Sequence, residues 1–373
     1  MAKKTIIIST INVLDNYGNR LQNYALQEVL RQYGDVRTSL RIYNATSNKK
    51  YCIQFLKKKY LNGVKQILEH CLRNGLRDGI AFAKRVHRGA KFNKKYINEN
   101  GGIVSAYKVV RPKSLTAQDL TYVIGSDQVW NFEMLGVTTP EDVLASFLAN
   151  DTPRRKISYA ASFGVDSIPQ NQIVSIRLGL QSLDAISVRE REAVEIVKKV
   201  TDEDVALVAD PTLLIDADKW RNLAKTITGH KEKYIVVQLL GDIPADREQI
   251  IRTYARQHGC AIYAFRGFDD YETAASGPVE FINLIAGAEM IFTDSFHALC
   301  FSLIFERQFK LFNVSYGTKS KSTNSRMMSL LSILGIESEE EVEGEILPID
   351  YSKVTPKLRS YRNKSLEWLA SNI

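Results

Sequence analysis

Short continuous apolar runs alternate with longer stretches in which apolar residues recur every three or four positions, through most of the 373 residues. TIIIST, TYVIG, KISYAAS and the ISV of ISVRE are runs of strand length. LQNYALQEVLRQYG, closed by Gly34, then NQIVSIRLGLQSL and EREAVEIVKKV, carry helical spacing. VALVADPTLLI reads as a strand running into a turn. After LIDADKWRNLAK and a polar connector, ITGHKEK, a second series begins. YIVVQLL, CAIYAF and EMIFTD are its strands, DREQIIRTYARQHG, PVEFINLIAGA and FHALCFSLIF its helices, and FKLFN a short last strand. Apolar strands separated by helices predict mainly parallel sheets covered on both faces. Two such series predict an α/β protein of two Rossmann-like domains facing a cleft. The first spans 1–216, the second 217–345, and a tail helix over 346–373 packs back on the first.

Composition changes this picture little. Apolar and charged fractions of 45% and 25% are those of an ordinary globular protein. No apolar run reaches the roughly 18 residues that span a bilayer. MAKKTIIIST reads as a strand and not as a secretory signal, because its apolar run is short and no small-residue cleavage site follows. Cys52, Cys71, Cys260 and Cys300 are scattered, and His70, His87 and His230 have no partner at ligand spacing, so a reducing cytoplasm and no structural metal are expected.

Charge is concentrated. Residues 49–113 hold 17 Lys and Arg against Glu69, Asp78 and Glu99, a net of +14 in a chain of +8. Aromatics are interleaved, from Tyr51 to Tyr107, and the apolar spacing is helical. No nucleic-acid motif accompanies the charge. An anionic membrane surface, at the inner face of the membrane, or a lipid-linked acceptor fits it, as does a plain solvated helical face.

Polar residues collect where strands turn into helices, the place where open α/β sheets bind ligands. In TDSFH, Asp294, Ser295 and His297 stand between a buried strand and an apolar helix whose free N–H groups favour anions, although Asp294 or Ser295 would also serve as a cap. The first strand leads into Asn16, Gly18, Asn19, Arg20 and Gln22, with Asn19 the expected N-cap and helix from about Leu21. Gly125, Ser126, Asp127 and Trp130 form a third turn, in which Ser126 and Asp127 suit sugar hydroxyls and Trp130 a sugar face or the core. Ser162 lies in a turn of small residues. Arg189 ends a strand, suited to an anion or to pairing with Glu190 or Glu192 at the surface. TKSKSTNSRM, with Lys319 and Arg326, reads as a mobile basic loop. There is no G-x-G-x-x-G and no Walker A sequence.

Taken together, NYGNRLQNYALQ, VIGSDQVWN, ISYAASFG, ISVRE, ADPTLL, PVEFINLI and TDSFHALCFSLIF make the chain resemble the polysaccharide pyruvyl transferase family from near its start to about Gly335. The resemblance implies a glycosyltransferase-B-like pair of domains. It also implies transfer of an enolpyruvyl-derived group from phosphoenolpyruvate to a sugar, as a ketal bridging two hydroxyls. On this sequence the family's histidine is His297 and its arginine Arg189. Some members carry an arginine two residues before the histidine, where Ser295 stands here, and many a glycine after it, where Ala298 stands. Arg20, Arg326 or Lys319 would then supply the missing positive charge.

The implied reaction needs cations around a phosphate and a carboxylate, a general acid for the donor's methylene carbon, and a base for the sugar hydroxyl. His297 is the expected acid, and Asp127 and Asp294 both qualify as base. No step requires a metal or a cofactor. A nucleotide-sugar glycosyltransferase or epimerase of the same architecture, or a non-catalytic sugar-binding protein, remains open beside this reading.

Overall fold

The structure is a computed structural model that describes residues 4–42, 65–105, 109–113, 115–224, 232–313, 320–336 and 348–373, except the side chains of 320–324. Lys319, Cys52 and the basic residues from 49 to 64 lie outside the described residues.

Eight strands build the first sheet system. β1 (Thr5–Ser9), β2 (Asp35–Ile42), β3 (Ile103–Ser105), β4 (Val109–Val110), β5 (Leu120–Ile124) and β6 (Arg155–Ser158) run in the order β4-β3-β2-β1-β5-β6. All pairs are parallel except β3 with β4. β7 (Ile186–Val188) and β8 (Val205–Leu207) pair with each other, and bridges Ile157↔Ala185 and Ala161↔Val188 attach them beyond β6. The order reverses between β1 and β5, so their carboxyl ends flank a crevice. The second sheet holds β9 (Tyr234–Gln238), β10 (Ala261–Ala264), β11 (Met290–Thr293) and β12 (Gln308–Leu311), all parallel in the order β10-β9-β11-β12. Its reversal lies between β9 and β11. The fold is two Rossmann-like α/β domains, as expected.

Three expectations fail in detail. The strand β2 went unread because DVRTSLRI is half polar; its hydroxyls find internal partners, Thr38 Oγ1 donating to Asn23 Oδ1 and Ser39 Oγ to the Ile8 carbonyl. The first helix spans Tyr17–Leu30 rather than starting near Leu21, because Asn16 and not Asn19 is its cap and accepts from Asn19 N at 3.0 Å. TKSKSTNSRM is not a loop throughout, since a helix covers Ser320–Leu334. Polar residues hid its amphipathic continuation, which buries Met327, Leu330, Leu331 and Leu334.

One continuous core joins the two sheets, running from Ile6, Ile8 and Val123 through Tyr17 to Val236, Phe281 and Ile291. At its centre Tyr17, on the first helix, stacks on Phe281 of the Pro278–Gly287 helix with ring centroids 4.9 Å apart. The last helix, Tyr351–Asn372, ties both halves: Ser365 Oγ accepts from Ala209 N, Arg362 Nε donates to the Leu213 carbonyl, and Tyr351 OH donates to the Arg307 carbonyl. The described part of the basic segment forms helices over 65–74 and Leu76–Tyr96. The second of these buries Phe92 against Tyr24 and packs Ala81 on Ala274 and Ala275 of the second domain. Among the described residues no helix is long and apolar enough to cross a membrane.

Candidate functional site

The carboxyl ends of β5, β7 and β8 meet the start of the Phe296–Ile304 helix across the crevice, and charged groups converge there. β5 runs into Gly125, where a φ of +113 and the 2.4 Å that would separate a Cβ from the Tyr159 carbonyl oxygen exclude any side chain. Asp127 follows, itself left-handed at φ 73, its carboxylate turned inward. Arg189, one residue beyond β7, is the hub. Its Nη1 donates to Asp210 Oδ2 at 2.9 Å and its Nη2 to Asp127 Oδ1 at 3.1 Å, while Nε lies 3.6 Å from Glu190 Oε2. Asn19 Nδ2 completes the Asp127 carboxylate at 3.0 Å, and Ser126 Oγ donates to Asp210 at 3.2 Å.

Burial alone would raise both aspartates. For Asp127 the Arg189 guanidinium and His297 outweigh it, for Asp210 His297 and Arg189 do, and both carboxyls stay below their usual range. Glu190 is different: burial lifts its carboxyl above the usual value despite Arg189 and Arg326, and its Oε1 accepts from the Phe163 backbone N–H.

His297 faces this cluster from the second domain. Its Nε2 is 3.8 Å from Asp210 Oδ2, buried and without a hydrogen-bond partner. The other edge of the ring rests on the first helix, where a Cβ at Gly18 would lie 2.0 Å from Nδ1. Burial lowers the imidazole pKa below 6.5, and the attraction of Asp210 and Asp127 only partly offsets it. Phe296 stands between two guanidinium groups, Arg189 at 4.7 Å and Arg326 at 6.0 Å from its ring centre. Arg326 is buried with its Nε unpartnered, and burial, aided by Arg189, lowers its pKa to about 10. A buried cation with an open donor, beside the free N–H groups of a helix start, suits an oxyanion.

Of the residues singled out from the sequence, the structure brings together Gly18, Asn19, Ser126, Asp127, Arg189, His297 and Arg326. Ser162 borders them, its N–H donating to the Asp127 carbonyl and its buried hydroxyl lying beside the Glu190 carboxyl. Gln22 braces the same wall by donating to Thr10 Oγ1, which in turn donates to the Ser126 carbonyl. Ser295 starts the helix without a side-chain cap bond, so the capping role proposed for it is not used.

Several expectations need correction. Arg20 is not an anion ligand: it is fully buried, and its guanidinium holds the Ile11 carbonyl, Asn12 and Asn19. Trp130 is no sugar platform, being 1% exposed and stacked on Phe147. Asp294 turns away from Arg189 and accepts from Leu240 N at 2.8 Å, where burial pushes its pKa up to about 6. Arg189 pairs inside the protein and not at the surface. Asp210 was missed. Its position before Pro211 reads as an ordinary cap, and Oδ1 does accept from Thr212 N, while Oδ2 serves Arg189. Among the described residues no group of three or more His, Cys, Asp or Glu is placed to hold a metal ion.

Residues 16–316 match the family model for polysaccharide pyruvyl transferase. The chain belongs to the polysaccharide pyruvyl transferase family. The matched span includes Arg189, Asp210 and His297 and ends short of Arg326. Family membership makes the protein a transferase of polysaccharide biosynthesis, with a sugar or polysaccharide as acceptor. A search of curated proteins gives no match. Among solved structures, UDP-GlcNAc 2-epimerase from Neisseria meningitidis bound to UDP-GlcNAc is similar, with 9% identity and a TM-score of 0.43 over 99% of this chain and 100% of that one. UDP-GlcNAc 2-epimerase from Methanocaldococcus jannaschii gives 11% and 0.38, over 95% and 98%. The E. coli ADP-heptose lps heptosyltransferase II gives 10% and 0.31, over 96% and 99%. Likenesses this distant bear on neither substrate nor mechanism.

Proposed function

We propose that the protein transfers pyruvate from phosphoenolpyruvate to a sugar of a surface polysaccharide, or of its lipid-linked precursor, as a ketal. The observation that carries this reading is the buried, unpartnered His297 Nε2 beside Arg326, at a helix start and facing Asp210. The donor's phosphate and carboxylate match the Arg326 guanidinium and the helix N–H groups. Arg189, shared by Asp127, Asp210 and Glu190, ties the wall of the site together and lies over the Phe296 ring.

His297 gives a proton to the methylene carbon of the donor, turning it into a methyl group and leaving C2 electrophilic. A sugar hydroxyl bonds to C2 and its proton returns to the imidazole. The C2–O bond to phosphate breaks with its electron pair on phosphate, and the second hydroxyl closes the ketal, its proton leaving with phosphate or to solvent. Because burial keeps the free imidazole neutral near pH 7, the bound dianionic groups are what raise it into the protonated form.

We place this work in the cytoplasm, at the inner face of the membrane. Support comes from the basic helices, where Leu68 and Leu72 on the first and Leu76 and Ile80 on the second are exposed, Leu72 to 87%, among Lys65, Arg73, Arg77 and Lys84. The test of function is phosphate release from phosphoenolpyruvate with nitrophenyl or lipid-linked sugars, beside thermal shifts with phosphoenolpyruvate and UDP-GlcNAc. A shift with UDP-GlcNAc and none with phosphoenolpyruvate would replace this reading with a nucleotide-sugar enzyme. A response to neither would leave a sugar-binding protein.

A further inference from the structure

A second cavity, of about 640 Å³, opens at the carboxyl ends of β9 and β10 and is roofed by the basic helices. That size falls in the range of small-molecule sites, about 300–1,000 Å³. Its floor is Gln238, the last residue of β9, which is buried with its side-chain Oε1 lacking any hydrogen-bond partner. An amide oxygen enclosed without a donor costs about 1–3 kcal/mol, so it is a group that waits for a hydroxyl or N–H.

The cavity adjoins the segments that carry His297. Thr293 Oγ1 donates to the Gln238 carbonyl at 2.8 Å, and Leu240 N donates to Asp294. On the opposite side Asp15 lines the cavity, three residues before Gly18, which lies against the His297 ring. The lining carries Asp15, Asp78, Asp242 and Glu248 against Arg85 and Arg266. Glu248 is paired with Arg252 at 2.7 Å and the exposed Asp242 lies 3.9 Å from Arg266, which leaves Asp15 and Asp78 against Arg85. Arg266 Nη1 is already donating to the Leu240 carbonyl. An excess of carboxylate repels a diphosphate, yet gives the hydroxyls of an uncharged sugar many acceptors. Phe82, which stacks on His70 at 4.7 Å, and Phe268 add ring surface, and Gly241 and Gly267 leave backbone close to any occupant.

We propose that this cavity is the acceptor subsite: it takes a neutral saccharide unit and directs two of its hydroxyls toward His297. The assignment rests on the function proposed above, and it separates a donor pocket, where the buried Arg326 has an open Nε, from an acceptor pocket around Gln238.

Saturation-transfer NMR tests it with the full chain and a pool of the methyl glycosides of glucose, galactose, mannose and N-acetylglucosamine. UDP-GlcNAc forms a separate sample, and thermal shift with phosphoenolpyruvate is read in parallel. Wild type should transfer saturation to at least one glycoside. Gln238→Leu, which keeps the buried shape and removes the amide, should weaken that binding at least tenfold with the phosphoenolpyruvate shift unchanged. Asp15→Asn, at the cavity mouth, should weaken it several-fold and serves should Gln238→Leu not fold. A glycoside response undiminished in the folded variants, no response from wild type, or UDP-GlcNAc binding that Gln238→Leu abolishes would each overturn the assignment. If the glycoside result holds while phosphoenolpyruvate moves nothing, the donor is wrong and the subsite stands.

Discussion

At the scale of single residues, the position of His297 governs what its replacement should do. His297→Ala should cut phosphate release by about 10²–10⁴-fold, the usual worth of a positioned proton donor. His297→Gln should be nearly as slow, because an amide hydrogen-bonds but cannot deliver the proton; a recovered rate with raised KM would make it a ligand only. If phosphoenolpyruvate is the donor and the protonated ring holds it best, its affinity should fall as pH rises from about 5 to 8, because the free imidazole is neutral above its lowered pKa. That slope, read by calorimetry, should vanish in His297→Gln. Asp294 provides a separate test. Its folded pKa, about 6, exceeds the unfolded value of 3.8, so the stability it contributes is complete below about pH 4 and lost as pH rises through 6. Asp294→Asn keeps the bond from Leu240 N and should stabilise the protein at pH 8, by on the order of 2 kcal/mol, with no gain at pH 4. Equal denaturation midpoints at both pH values would refute it. His297 and Asp127 were legible because polar residues interrupt apolar runs at strand ends. Arg20 misled because an arginine at a helix start reads the same whether it faces a ligand or its own backbone. Asp210 stayed hidden because capping and ion pairing use different oxygens of one carboxylate.

Elements were legible where one face is apolar. The strands β9 and β11, wholly buried, are apolar up to their last residues, Gln238 and Thr293, whereas in β2 and the Ser320–Leu334 helix polar residues meet partners distant in sequence, Thr38 with Asn23 and Ser329 with Arg191 N. The basic helices show the same ambiguity from outside. Their charge was plain in the sequence, but that Leu68, Leu72, Leu76 and Ile80 are exposed only shows once the buried positions are known. If this face meets an anionic bilayer, the protein should sediment with vesicles containing phosphatidylglycerol, and the bound fraction should fall steeply between 0.05 and about 0.5 M salt. Leu72→Glu with Leu76→Glu should abolish sedimentation and leave the melting temperature unchanged, since both side chains are exposed. Binding that is equal on neutral and anionic vesicles, or absent from both, would leave these helices as a solvated roof.

For the whole molecule, the alternation of strands and helices foretold two sheets, but not that one core would run through both. That core, with the last helix bonded to both halves, predicts a single unfolding transition. Leu369→Ala, at a fully buried position of that helix, should lower the midpoint by an amount worth about 2–5 kcal/mol without splitting the transition. Two resolved transitions in differential scanning calorimetry would contradict the shared core. The sequence could not show this, because the contacts that fuse the halves, such as Tyr17 on Phe281, join residues more than two hundred positions apart.

The contact between Gly18 and the His297 ring makes the imidazole proposed to react also a gauge of how closely the halves sit. With no room for even a Cβ between them, a change in their spacing bears directly on that ring. Loss-of-function screens should therefore return two kinds of lesion that assays alone will not tell apart. Some will remove chemistry, and others, at Tyr17 or Phe281, will leave every reacting group intact and put the imidazole out of line.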